Sequence, residues 1–185
     1  MVLPELEKNG IALCYDTPLP PSAIPRVRKY FLTEVSAFIE RVYPGESGTF
    51  FPQSNRIYFL VSLSGPGPRR AIVNIPSEAL PRFFRIAEGD GARVIFLDDI
   101  IRENLDRVFA GRQVTGCWSF KITRDAELNL QDEYEGDIAE RIERQIAKRD
   151  QGLATRVLYD QRMDPEELAY LIRTLGLKNA NIVKG

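Results

Sequence analysis

Arg56-Ile57-Tyr58-Phe59-Leu60-Val61-Ser62-Leu63 decides the fold class. The run is apolar and aromatic with almost no alternation, the pattern of a strand covered on both faces, so it is expected to lie centrally in its sheet. Ser64-Gly65-Pro66-Gly67-Pro68 supplies a turn, and Ala71-Ile72-Val73-Asn74-Ile75 reads as the returning arm of a hairpin. A third short strand is expected from Arg82 to Ile86.

Toward the N-terminus, Thr17-Pro18-Leu19-Pro20-Pro21 carries three prolines that cannot sit inside a helix. Residues 1–21 therefore read as an extended lead-in. A helix follows, with Ser22 as its cap and Pro25 in the tolerated first turn. Val27, Tyr30, Phe31, Val35, Phe38 and Val42 form its apolar stripe, and Pro44-Gly45 ends it.

Toward the C-terminus, the strand Arg93-Val94-Ile95-Phe96 leads into one helix running from Asp98 through Phe109. Its opening pair Asp98-Asp99 complements the helix dipole, Ile101, Leu105, Val108 and Phe109 face inward, and Gly111 closes it. Val114 to Thr123 reads as a strand with Trp118, Phe120 and Ile122 on one face and Cys117, Ser119, Lys121 and Thr123 on the other. A long charged helix is expected from about Glu133 to Lys148, ended by Gly152, and a strand from Thr155 to Tyr159. In the last helix Asp164 is the cap, Pro165 the first helical residue, Glu167 the partner in a capping box and Gly176 the stop. Residues 179–185 read as a frayed cut end. This order of elements predicts an α+β (mixed α/β) fold, one mixed β-sheet with packed helices, in a single domain over 22–178.

Composition narrows the function. With 185 residues and 44% apolar content the chain can bury a core, while 25 Lys plus Arg against 26 Asp plus Glu offers no global attraction for nucleic acid or an anionic surface. Cys14 and Cys117 fit no zinc pattern and no disulfide framework, and no apolar run approaches the ~20 residues needed to span a bilayer. These features predict a cytoplasmic protein. The chain has no histidine, which removes the commonest general base and metal ligand and every Ser-His or Cys-His nucleophile.

Few polar groupings could carry chemistry. Lys121, Arg124 and Asp125 are the first candidate: two cations at a strand end could hold phosphate oxygens while the carboxylate orients the arginine. Strict alternation sets Lys121 and Arg124 on opposite faces, so the preferred reading is a turn or an interdomain ion pair. Arg69-Arg70, after the Gly/Pro turn, could touch a polyanion but reads more simply as a solvated turn. Asp98-Asp99, and Asp132-Glu133 with Glu135, could bind magnesium, yet acids at helix starts are expected for the dipole alone. Gly89-Asp90-Gly91-Ala92 matches no phosphate-cradling glycine pattern, and Phe83-Phe84 and Trp118 with Phe120 read as core rather than as a base-stacking platform.

Ser119-Phe120-Lys121-Ile122-Thr123-Arg124-Asp125-Ala126-Glu127-Leu128 resembles the F-R/K-V/I-T-R-D-A-D/E-L signature of bacterial polyphosphate kinases. Three further stretches resemble the middle, or head, domain of that family in the same order: Tyr30-Phe31-Leu32-Thr33-Glu34-Val35; Ile72 to Phe83; and Phe96-Leu97-Asp98-Asp99-Ile100-Ile101 with Leu105, Phe109 and Gly111. One departure is Gln53-Ser54 after Pro52, where the family carries apolar residues. The resemblance implies an enzyme that transfers the γ-phosphate of ATP, with magnesium, to polyphosphate through a phosphorylated histidine. It also implies a fold similar to that of phosphohistidine phosphatases, and a homodimer or tetramer that is cytoplasmic or membrane-associated. None of the family's phosphohistidine, nucleotide or metal motifs is carried here, so the resemblance assigns no catalytic, cofactor-binding or metal residue to this chain. It implies a part that makes dimer and interdomain contacts and frames the nucleotide tunnel, binding no cofactor and inactive alone. The alternative is a stand-alone, non-enzymatic module for phosphate-rich ligands using Lys121, Arg124 and Arg69-Arg70. A free-standing phosphohistidine-phosphatase type of enzyme is excluded by the missing histidine.

Overall fold

A computed structural model describes residues 2–45, 50–124 and 154–185. Along the chain run α1 (Val2–Lys8), β1 (Ile11–Cys14), α2 (Ile24–Tyr30), a π-helical turn (Phe31–Val35), a 3-10 turn (Ser36–Phe38), β2 (Arg41–Val42), β3 (Ile57–Ser64), β4 (Arg70–Asn74), β5 (Phe83–Glu88) and β6 (Gly91–Phe96). There follow α3 (Leu97–Glu103), α4 (Leu105–Val108), β7 (Gln113–Arg124), β8 (Ala154–Tyr159), α5 (Pro165–Thr174) and β9 (Asn181–Lys184). The fold is mixed α/β, as the element order implied. It has two sheets where one was expected: a three-stranded sheet in the order β1-β6-β5 and a six-stranded sheet in the order β2-β4-β3-β7-β8-β9.

The central strand is where the sequence placed it. β3 is buried from Tyr58 to Leu63 and lies between β4 and β7. The second sheet arises because β5 pairs with β6 across the tight Gly89-Asp90 turn instead of extending the β3–β4 hairpin. Such a local antiparallel pairing closes over a few residues and needs no long connection. The lead-in then adds β1, parallel to β6, so residues 1–21 are not simply extended. Likewise, 181–184 form β9 against β8 rather than a frayed end.

The chain divides into two compact units where one domain was expected: Met1–Arg41, Ser62–Arg69 and Val73–Thr115 form the first, and Val42–Val61, Arg70–Ile72 and Gly116–Gly185 the second. In the first unit, α2 starts at the non-capping Ala23 rather than Ser22. Val27, Phe31 and Val35 are buried as the stripe predicted, but the helix tightens and ends at Phe38. Asn74 fixes that end: its amide nitrogen donates to the Phe38 carbonyl at 2.9 Å, and its amide oxygen accepts from the Glu40 N–H at 2.8 Å. The predicted helix over 98–109 breaks in two at Asn104, a fully buried residue whose side chain donates to the Ile100 carbonyl at 2.8 Å. Back-bonding of this kind competes with the helix ladder.

In the second unit, Tyr58, Leu60, Ile72, Phe120, Ile122, Val157, Tyr159, Met163, Leu171 and Leu177 form one core. Tyr58 and Phe120 stack with centroids 5.6 Å apart. α5 ends as predicted at Gly176, with φ of 66°, and the Leu177 N–H bonds the Ile172 carbonyl at 2.9 Å to close the turn. The expected helix over 133–148 lies outside the described residues.

Candidate functional site

The outer end of β7 holds the sequence's leading candidates. β7 pairs antiparallel with β8, Phe120 opposite Tyr159 and Ile122 opposite Val157, with a bulge between Thr123 and Arg124. The strand runs straight through Arg124, so no turn brings Lys121 and Arg124 together. Arg124 lies on the face of Phe120 and Ile122 and is buried.

The guanidinium of Arg124 is occupied from within. Its Nε donates to the Pro52 carbonyl at 3.1 Å, and the group lies 3.5 Å over the Phe51 ring. Its backbone N–H donates to Ser54 Oγ at 3.1 Å, while the Asn55 N–H reaches the Ile122 carbonyl at 2.7 Å. Ser54 gives its half of the departure a physical purpose, since its hydroxyl binds the signature strand, while the backbone N–H of Gln53 donates to the Tyr58 hydroxyl at 3.1 Å. Lys121 is half-buried on the opposite face, across from Leu158. Asp125, Asp132, Glu133 and Glu135 lie outside the described residues.

Arg70 is pinned rather than solvated. Its Nε donates to Glu167 at 2.6 Å and its Nη2 to Glu166 at 3.0 Å, with the Tyr170 ring 4.5 Å from its charge centre. These acids hold its guanidinium above the ordinary arginine range, chiefly through the Glu167 hydrogen bond. No polyanion is needed to neutralise it.

The acidic pair is likewise engaged. Asp98 Oδ2 accepts from Arg82 at 3.0 Å, and Asp99 Oδ2 accepts from the Asp16 N–H at 3.1 Å. Burial pushes both carboxyls up despite those partners. Among the described residues no group of three or more His, Cys, Asp or Glu side chains is placed to hold a metal ion. These acids are internal partners of Arg82 and of a backbone amide, beyond the dipole role read from sequence.

Sequence reasoning missed the open face of the three-stranded sheet. A cavity of about 430 Å3 lies there, lined by Glu7, Ile11, Leu13, Tyr15, Arg82 and Phe96. Its only sequence signal is the alternation of Ile11, Leu13 and Tyr15, which means nothing until β1 is known to be a strand.

Compared with known families, residues 25–185 match the polyphosphate kinase middle domain. The chain belongs to the polyphosphate kinase middle-domain family. A polyphosphate kinase of Pseudomonas putida is 30% identical over 190 residues, covering 98% of this chain and 26% of that protein. One from Vibrio cholerae is 29% identical over 184 residues, covering 95% of this chain and 26% of its own length. The crystal structure of polyphosphate kinase from Porphyromonas gingivalis superposes with a TM-score of 0.76 at 28% identity, over 100% of this chain and 26% of that one. The chain thus spans about a quarter of the length of these polyphosphate kinases.

Proposed function

We propose that this chain serves as the middle domain of an enzyme that transfers the γ-phosphate of ATP to polyphosphate, and that it supplies scaffold and contacts rather than the phosphorylated residue. The observation that carries this reading is a family match over residues 25–185 in a chain with no histidine. ATP and magnesium belong, in this reading, to the rest of a cytoplasmic or membrane-associated enzyme, since Asp98 and Asp99 already serve Arg82 and the Asp16 amide. The chain's own part is to make dimer and interdomain contacts and to frame the nucleotide tunnel. Asp125 would act at such a contact. Lys121, on the face away from buried Arg124, is the signature cation best placed to reach phosphate or a neighbouring domain.

Two measurements test this. The 185-residue chain, given ATP, magnesium and polyphosphate, is expected to show no transfer, and steady turnover would overturn the proposal. A chimera of the Pseudomonas putida enzyme carrying this chain in place of its matching quarter is expected to retain transfer; a folded but inactive chimera counts against the reading. Salt-sensitive polyphosphate binding by the chain alone, lost in Lys121→Ala, would instead favour a stand-alone polyanion module.

A further inference from the structure

The three-stranded sheet ends on β1, and among the described residues no strand pairs with its outer edge. Its sequence, Ile11-Ala12-Leu13-Cys14, has no charge and no proline, so it lacks two common devices that guard an edge against pairing. The Gly10 carbonyl accepts from the Ala92 N–H at 2.9 Å. Because successive residues alternate in direction along a strand, the N–H and C=O of Ile11 and Leu13 point to the open side.

The same strand supplies the wall of the cavity. Ile11 pairs with Ala92 and Leu13 with Val94, while Phe83 pairs with Phe96 and Arg85 with Val94, so Ile11, Leu13, Val94, Phe96 and Phe83 share one face. Tyr15 and Phe83, each centred about 5 Å from the Phe96 ring, are 60% and 55% exposed, which is not how core aromatics sit. The cavity of about 430 Å3 beside Tyr15 and Phe96 is of ligand-site size. Its ends carry opposite charge. Glu7, exposed, stands at the start of β1, and Arg82, oriented by Asp98 at 3.0 Å, stands beside Phe96 at the other end.

We propose that this edge and cavity dock an extended peptide segment, which joins the sheet antiparallel to β1 and seats an apolar side chain in the cavity against Ile11, Leu13 and Phe96. Charge complementarity sets its chemistry: an acidic residue first, opposite Arg82, then apolar residues at alternate positions, then a basic residue opposite Glu7. Main-chain bonds to Ile11 and Leu13 supply affinity, and the cavity and its charged ends supply selectivity. The antiparallel direction is the more stable pairing per residue. This site goes beyond the proposed kinase role and does not depend on it.

The test uses the isotope-labelled 185-residue chain and a synthetic probe, acetyl-DTVTVTK-amide, whose charged ends and valines share one face of the strand, followed by amide chemical shifts. Saturable shifts are expected at Ile11, Leu13 and Tyr15. N-methylation of the probe at alternate residues, which removes donors while keeping side chains, is expected to abolish them. A probe with its end charges exchanged is expected to bind about fivefold more weakly, the effect of two exposed charge pairs. Glu7→Lys, on the exposed end of α1, is expected to narrow or reverse that preference. The proposal fails if β1 amides do not move, or if the N-methylated probe binds equally well. It also fails if sedimentation without probe finds a dimer whose β1 amides are already protected, because a second copy would then own the edge.

Discussion

Glu167 gives its carboxylate to Arg70 Nε at 2.6 Å instead of reaching back to cap the helix that begins at Asp164. The Asp-x-x-Glu spacing promised a capping box, and tertiary structure redirected the acid to a cation 97 residues away. Glu167→Gln is expected to cost ~1–3 kcal/mol, the penalty for weakening a charged hydrogen bond and leaving Arg70 underpaired in a partly buried place. Glu166 is 87% exposed in its side chain, so Glu166→Gln is expected to stay within about 0.5 kcal/mol. Urea unfolding of both variants checks the contrast, and equal losses would refute it.

Asp99 predicts a pH dependence. Its carboxyl is buried and raised, with desolvation outweighing the Asp16 amide and the Arg102 charge. The folded chain therefore keeps that proton to higher pH than the unfolded chain does. The resulting stability is complete below the unfolded pKa and is lost as pH rises through the folded value. Asp99→Asn can keep the Asp16 hydrogen bond without the charge. Its stability relative to the parent chain is expected to improve as the solution is taken from about pH 4 to about pH 7, across and above the ordinary aspartate range. A difference that shrinks over that interval would sink the argument.

Two glycines are held by what lies against them. A Cβ on Gly116 would meet the ring of Trp118, and one on Gly91 would meet the Gly10 carbonyl oxygen. Gly116→Ala must displace the sole tryptophan, so its fluorescence maximum is expected to move, with ~1–3 kcal/mol lost to overpacking. Gly91→Ala is expected to lose at least as much without that spectral change, because backbone rather than a mobile ring blocks it. Fluorescence spectra and denaturation curves of the pair separate the two cases.

Arg124 and Lys121 should behave as different kinds of residue. Arg124→Ala removes a buried guanidinium bound to the Pro52 carbonyl and Phe51, with an expected loss of ~2–4 kcal/mol. Arg124→Lys is not expected to restore it, since an ammonium cannot offer the same flat face to the ring. Lys121→Ala is expected to fall within about 0.5 kcal/mol of the parent. A thermal scan of the three variants checks this ordering.

The sequence by itself determined the central strand at Arg56 to Leu63, the β3–β4 hairpin, the facing of Phe120 and Ile122, the stop at Gly176 and the family, because each rests on local periodicity, turn chemistry or wording. It also placed Lys121 and Arg124 on opposite faces. Only the tertiary structure decided that β5 leaves the larger sheet for β6, that the lead-in supplies β1, and that residues 181–184 close as β9. Sheet membership depends on pairing between distant segments, and a strand's own residues do not record its neighbour. The side-chain assignments follow the same division: Asn74 ending a helix, Asn104 breaking one, Arg70 on Glu167 and Arg124 on Pro52. In each, a partner far along the chain, or burial that only packing creates, outweighed the local preference.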